Sequence, residues 1–310
     1  MIFNYLKELN GNICPGFFLP EIGHYYLNEK DFLKIKNKKP DLIFIIDLAL
    51  QEQDVLTLSS FSKNLFIFDH HKQKKIGSVN HINPQTDENK KSADYPSAGW
   101  VINDFFNKEQ NVLSMLGAIG DQGEKVRHNP DIIKILHRFG SSFDECREIV
   151  RYIDSCYIAN NRENIYRVMD ILGKKPDDIR DILTDPGILR NLETVNKEIE
   201  RILKEPHQKD GKKKIILKNI KSSFHIISDV CRILSEQYPD FLVIIINSSG
   251  KDIANIYFRT GSNRTDLTPL LEYAKQNGYN AGGKNEVVGI FCPVRKVTDI
   301  INDAKNILKL

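Results

Sequence analysis

The chain has 310 residues, 41% of them hydrophobic, enough apolar material for real cores and a length that points to two domains. A formal net charge of +3 excludes a histone-like or arm-type binder, so any nucleic-acid contact must come from local patches whose grip weakens as salt rises. There is no long apolar span and no signal peptide with a basic start, apolar middle and small-residue cleavage site, and the scattered Cys14, Cys146, Cys156, Cys231 and Cys292 fit a reducing cytoplasm.

Met1 to Leu9 has the pattern of a helix. From Asp41 to about Gly123, strand-like and helical runs alternate, which predicts a parallel sheet flanked by helices. Leu42 to Ile46 is an apolar run ending in Asp47, and Leu65 to Phe68 is a second ending in Asp69, His70 and His71. Such runs fit strands covered on both faces, and these sheets set their sites just beyond the carboxyl ends of the strands. Both runs therefore deliver metal-ligating side chains to one edge. Pro96 and Ser97 suit the start of a helix carrying Trp100, which reads as core rather than as a base-stacking platform. Asp121 follows the small-residue segment Leu116 to Gly120 and precedes Gln122-Gly123, which reads as a tight turn where backbone can approach an ion or phosphate.

Pro130 to Glu205 is mainly helical, with Ile132, Ile133, Ile135 and Leu136 on recurring faces and Asp154 placed to pair with Arg162. Within it, Leu189 to Leu203 carries Val195, Ile199 and Ile202 at helical spacing and reads as a solvated connecting helix. Lys209-Asp210-Gly211-Lys212-Lys213-Lys214 contains a turn signal leading into the strand-like Ile215 to Leu217. A basic turn commonly just keeps a surface soluble, and its functional reading is a phosphate-touching edge. Phe241 to Ile246 and Ala254 to Arg259 read as strands, followed by a helix over Leu267 to Gln276. Ala281-Gly282-Gly283-Lys284-Asn285 then stands immediately before a final strand, in which Cys292 is a small core residue. Paired glycines let backbone amides approach phosphate oxygens, Lys284 adds a point charge, and Arg259 supplies a planar fork.

Asp47, the Asp69-His70-His71 triplet and Asp121 combine hard oxygen with imidazole and suit Mn²⁺, Mg²⁺ or Fe²⁺ better than a thiolate-rich zinc site would. A cation in such a set lowers the pKa of bound water to about 7 and neutralises charge building on a phosphoryl group.

On Asp47, Asp69-His70-His71, Asp121 and the glycine-rich segment at Gly282-Gly283, the sequence resembles the DHH and DHHA1 phosphoesterase superfamily. That group includes RecJ-type exonucleases, oligoribonucleases, cyclic dinucleotide phosphodiesterases and family II pyrophosphatases. The resemblance spans nearly the whole chain and puts these residues at the family's second, third and fourth motifs and in its C-terminal domain. Pro20 to Leu27, Tyr95 to Ala98 and Gly278 to Lys284 look like the archaeal RecJ-like group associated with a DNA repair helicase. There are two departures. The family's first motif, a His followed by Asp-x-Asp-Gly ahead of a helix, is not in this sequence, which reads as starting after it; His24, the one N-terminal histidine able to compensate, is read as packing or capping a turn. The family's Arg-Ser and Gly-Gly-Gly-His appear here as Arg259-Thr260 and Gly282-Gly283-Lys284-Asn285.

The resemblance implies an α/β chain: a parallel-sheet DHH-type domain with a helical extension over 1–185, a connecting helix and linker over 186–212, and a smaller α/β DHHA1-type domain over 213–310. It implies that Asp47 bridges metals while His70 and Asp121 complete the second site, with Mn²⁺ the expected ion and Mg²⁺ the second choice. His71 would stabilise developing charge and Asp69 would orient His70 or support its basicity. Arg259, Gly282, Gly283 and Lys284 would hold the substrate end, in a cleft between the domains. The implied function is a RecJ-like exonuclease or phosphodiesterase acting on single-stranded DNA or RNA or short oligonucleotides, weakened by loss of the first motif. The alternatives are a catalytically inactive nucleic-acid-binding subunit working with a DNA repair helicase or replication factor, and a small-molecule phosphatase acting on a dinucleotide or pyrophosphate.

Overall fold

The computed structural model describes residues 1–9, 16–20, 26–174, 178–250, 252–261 and 265–310. Cys14, His24 and most of the Pro20 to Leu27 segment lie outside the described residues. The chain divides into two compact units, one of residues 1–157 with 162–189 and the other of residues 158–161 with 190–310. No helix among the described residues is long and apolar enough to cross a membrane.

The first unit opens with α1 (Ile2–Leu9) and α2 (Glu29–Asn37), the latter started by a reciprocal cap in which Asn28 and Asp31 each accept the other's backbone N–H. Next come β1 (Leu42–Ile46), α3 (Glu52–Ser59), β2 (Asn64–Phe68) and β3 (Asn80–Ile82), a parallel sheet in the order β1-β2-β3. Alternation along the strands divides the side chains between two cores. Ile45, Leu65 and Ile67 pack with Val55 and Leu58 of α3, while Phe44, Phe66 and Phe68 pack on the other face. There they meet Phe105 and Phe106, at and just after the end of α4 (Ala98–Phe105), with ring centroids 5.1 Å apart for Phe68 and Phe105. β2 is thus covered on both faces as expected, whereas β1, at the edge of the sheet, leaves Leu42 and Ile46 exposed.

Helix α5 (Val112–Gln122) lies close against α4, because Gly99 faces the Ser114 backbone: a Cβ at 99 would stand 3.1 Å from the Ser114 Cα. Trp100 is buried and donates its indole N–H to the Ser114 carbonyl at 3.1 Å, so it is core. The helices α6 (Pro130–Phe139), α7 (Phe143–Ile158) and α8 (Arg162–Lys174) follow. Asn129 caps α6, Pro130 opens it and Gly140 closes it in the left-handed conformation. Arg162, expected to pair with Asp154, instead donates to the carbonyls of Leu19 and Pro20.

Helix α9 (Pro186–Lys204) runs from the first unit into the second, as a connecting helix should, but it is not solvated all round. Val195 and Ile202 are buried with the second unit's core, where its apolar stripe is covered. That unit then runs β4 (Gln208–Asp210), β5 (Ile215–Ile220), α10 (Ile227–Gln237), β6 (Leu242–Asn247), β7 (Ile253–Thr260), α11 (Thr268–Gln276), β8 (Asn280–Lys284), β9 (Val287–Pro293) and α12 (Val297–Ile307). Its six strands lie in the order β4-β5-β6-β7-β9-β8, with β5 and β6 parallel and the other pairs antiparallel. α11 and α12 cover the face bearing Ile256, Phe258, Val288 and Ile290; α9 and α10 cover Ile216, Val243 and Ile245. The glycine segment expected as a loop before the last strand is itself an edge strand, since pairing with β9 overrides the weak strand preference of glycine.

Candidate metal and phosphate site

β1 and β2 end side by side, so the residues after them share one edge of the sheet. Asp47 follows β1 in the left-handed conformation, φ 56°, which aspartate tolerates, and its N–H donates to the Phe68 carbonyl at 2.9 Å. Asp69 follows β2, and its N–H donates to the Ile82 carbonyl of β3 at 3.2 Å. Both acids are therefore fixed by ladder bonds that continue past the strands.

Asp121 joins them from elsewhere. It lies in the last turn of α5, just before the expected turn, where Gly123, at φ 55°, terminates the helix. His70 stands between the two carboxylates, its Nε2 3.5 Å from Asp47 Oδ1 and 3.4 Å from Asp121 Oδ2. That nitrogen is buried and has no hydrogen-bond partner among the described residues. His71 Nδ1 is 3.7 Å from the same Asp47 oxygen. Asp47, His70 and His71 each offer a ligand atom within 4.8 Å of the others, and Asp121 approaches the group through His70 Nε2. A buried imidazole nitrogen close to two acids, with no hydrogen-bond partner among the described residues, is what a divalent cation would satisfy, and oxygen with imidazole donors suits Mn²⁺ or Mg²⁺.

Burial pushes the Asp121 carboxyl up to about 7, with the Asp47 charge beside it adding to the effect. Burial also raises Asp47, against the pull of His70 and His71. Asp69 behaves oppositely. It is fully buried, and although burial alone raises its pKa, the hydrogen bonds it accepts hold it below the usual carboxylate range. Its Oδ1 accepts from the N–H groups of His70 (2.7 Å) and His71 (3.0 Å) and pairs with His71 Nδ1 at 2.7 Å; its Oδ2 accepts from Gln73 Nε2 at 3.0 Å. The ring it orients is thus His71, not His70, and that hydrogen bond raises the pKa of His71.

Four supporting residues escape the sequence reading. Gln73 reaches Asp69 and lies 3.1 Å from His81 Nε2; His81 is buried and accepts the Ile76 N–H. Asn83, after β3, donates to the His71 carbonyl at 2.9 Å, and Gln85 donates to the His70 carbonyl at 3.3 Å. The only signal for them is an Asn-Pro pair closing a short strand. An open cleft of about 740 Å³ lies beside His70, His71 and Asp121, and Lys72, Lys125 and His128 line it.

Arg259, Gly282, Gly283 and Lys284 form a separate group in the second unit. Arg259 and Lys284 both pair with Val287, so they occupy one row and one face of the sheet, two strand spacings or roughly 10 Å apart. Lys284 Nζ pairs with Glu286 at 2.8 Å. Gly283 is required by the hairpin itself: at φ 149°, its Cβ would stand 2.1 Å from the Val287 carbonyl oxygen. Gly282 has open space on its Cβ side, where a ligand can approach.

No protein-family model matches the sequence, and no curated protein matches it. Solved structures do match. The DHH domain of a member of a family of ribosomal proteins is 16% identical, with 93% of this chain aligned to 76% of that one and a TM-score of 0.64. The exonuclease RecJ bound to manganese is 14% identical, covering 98% of this chain and 84% of its own, with a TM-score of 0.64. RecJ from Thermus thermophilus in complex with Mn²⁺ is 14% identical over 89% of this chain and 46% of its own, with a TM-score of 0.62. The chain has the two-part α/β fold of these RecJ-like, DHH-domain proteins.

Proposed function

We propose that this chain, built on the RecJ-like DHH fold, is a metal-dependent phosphoesterase acting on single-stranded nucleic acid ends or short oligonucleotides. The observation that carries the reading is the buried, unpartnered His70 Nε2 between the Asp47 and Asp121 carboxylates. These three residues would hold a divalent cation, Mn²⁺ or Mg²⁺. When bound, that cation supplies an acidified water and charge neutralisation at the phosphoryl group. The chain's own groups do the rest. Asp69 holds His71 by its Nδ1 and keeps it protonated further toward neutral pH, so its ring offers a proton and positive charge beside the phosphate. Lys72, Lys125 and His128 give the cleft a cationic lining, which favours a substrate with further phosphates along its backbone. Arg259, Gly282, Gly283 and Lys284 take a terminal phosphate and sugar, so recognition rests on backbone and sequence preference is weak.

The test is release of mononucleotides from end-labelled single-stranded DNA and RNA in Mn²⁺ by the full chain and by Asp121→Ala. The wild type is expected to release them and the variant to be slower by a hundredfold or more. Binding without release by the wild type would instead identify a non-catalytic subunit, and selective turnover of dinucleotides would identify a small-molecule enzyme.

A further inference from the structure

We propose that the β4–β5 turn of the second unit, together with Tyr238 and Phe241, is a contact site for single-stranded nucleic acid in its own right. Lys209, Lys212, Lys213 and Lys214 are all exposed within six residues. The turn's carboxylate, Asp210, is engaged by its own backbone: Oδ1 accepts the N–H groups of Lys212 and Lys213, each at 3.0 Å. The turn is thereby held in one shape while its ammonium groups face solvent.

Two aromatic rings lie among these lysines. Lys209 Nζ is 4.7 Å from the Tyr238 ring centre and 5.0 Å from that of Phe241, and Lys214 Nζ is 5.0 Å from Phe241. The two rings are 5.8 Å apart, and His207 lies 5.5 Å from Tyr238. β4 beneath them is the outermost strand of the sheet and is exposed at each position. Ammonium groups around half-buried rings match the two repeating parts of a single strand, a phosphate every nucleotide and an unpaired base face able to stack. A duplex has no free base faces, and an acidic peptide or polyphosphate has no use for the rings. Lysines on an edge strand also guard against strand pairing between molecules, but that role requires no aromatic partner. The partner class rests on the function proposed above; strand binding here does not depend on turnover.

The experiment is fluorescence anisotropy of labelled oligo(dT) and oligo(U) with the full chain in EDTA, over a salt series. Lys209→Ala/Lys212→Ala/Lys213→Ala is expected to bind at least tenfold more weakly at low salt. Its plot of log affinity against log salt should be shallower by about 2, at roughly 0.7 for each phosphate that is no longer neutralised. Phe241→Leu, checked for folding by thermal denaturation, is expected to weaken binding with the slope unchanged. Unchanged affinity in the triple variant overturns the proposal, as does inorganic polyphosphate competing as well as an oligonucleotide of equal charge. Hydrolysis of bis(p-nitrophenyl) phosphate in Mn²⁺ reads the first unit separately, so absence of that reaction with strand binding intact would count against the phosphoesterase alone.

Discussion

His70→Ala is expected to weaken Mn²⁺ binding by at least about a hundredfold in isothermal titration calorimetry at pH 8. Changing a residue that merely supports a ligand typically costs about 10–100-fold in metal affinity, and His70 is placed as a ligand itself. Its Nε2 lies within 3.5 Å of both Asp47 and Asp121, so its loss removes the imidazole donor from the set. The loss should exceed that from Gln73→Ala, which reaches the site through Asp69. Equal affinities for wild type and His70→Ala would remove His70 from the ligand set.

The second large effect is a pH dependence of stability in the metal-free protein. Asp121 has a folded pKa of about 7 against an ordinary value of 3.8. Below both values the group is protonated in either state and contributes nothing. Between them the unfolded chain loses its proton while the folded one keeps it, so stability falls as pH rises toward 7 and levels off above. A shift of this size corresponds to about 4 kcal/mol, but the side chain is 34% exposed, and solvent screening reduces the expected loss to about 1–2 kcal/mol. His71, raised above its ordinary value, slopes in the same sense, because its stabilising charge is lost as pH rises through the folded pKa. The difference between wild type and Asp121→Asn isolates the acid. In EDTA the variant should melt increasingly above the wild type from pH 4.5 to 8, while Mn²⁺ should raise the melting temperature of the wild type and not of the variant. A difference constant with pH would show that Asp121 is not buried against Asp47 as described.

Much of this site is legible in the sequence, because short apolar runs ending in acids and histidines mark strand ends at a sheet edge. Asp47, Asp69, His70 and His71 follow from that pattern. Composition also picks out Asp121 just before the Gln122-Gly123 turn, where Gly123 ends α5; that the small-residue segment before it is helical follows from close packing, with Gly117 facing Ser97 and Gly120 facing Val150. The role implied for Asp69, orienting His70, differs from the contact it makes, since sequence cannot tell which of two adjacent rings folds back to within 2.7 Å of a carboxylate. Gln73, His81, Asn83 and Gln85 act through hydrogen bonds made by a segment with no periodicity, which leaves no pattern to read. In the second unit the amphipathic stripe of α9 is visible in the sequence; the surface that covers it is not.

Metal binding at the sheet edge is tested most directly by a crystal of the chain soaked in Mn²⁺, with data collected at the manganese absorption edge. An anomalous peak bonded to Asp47, His70 and Asp121 at about 2.2 Å is the expected result. A map with no peak there, or with manganese held only elsewhere in the chain, would contradict it.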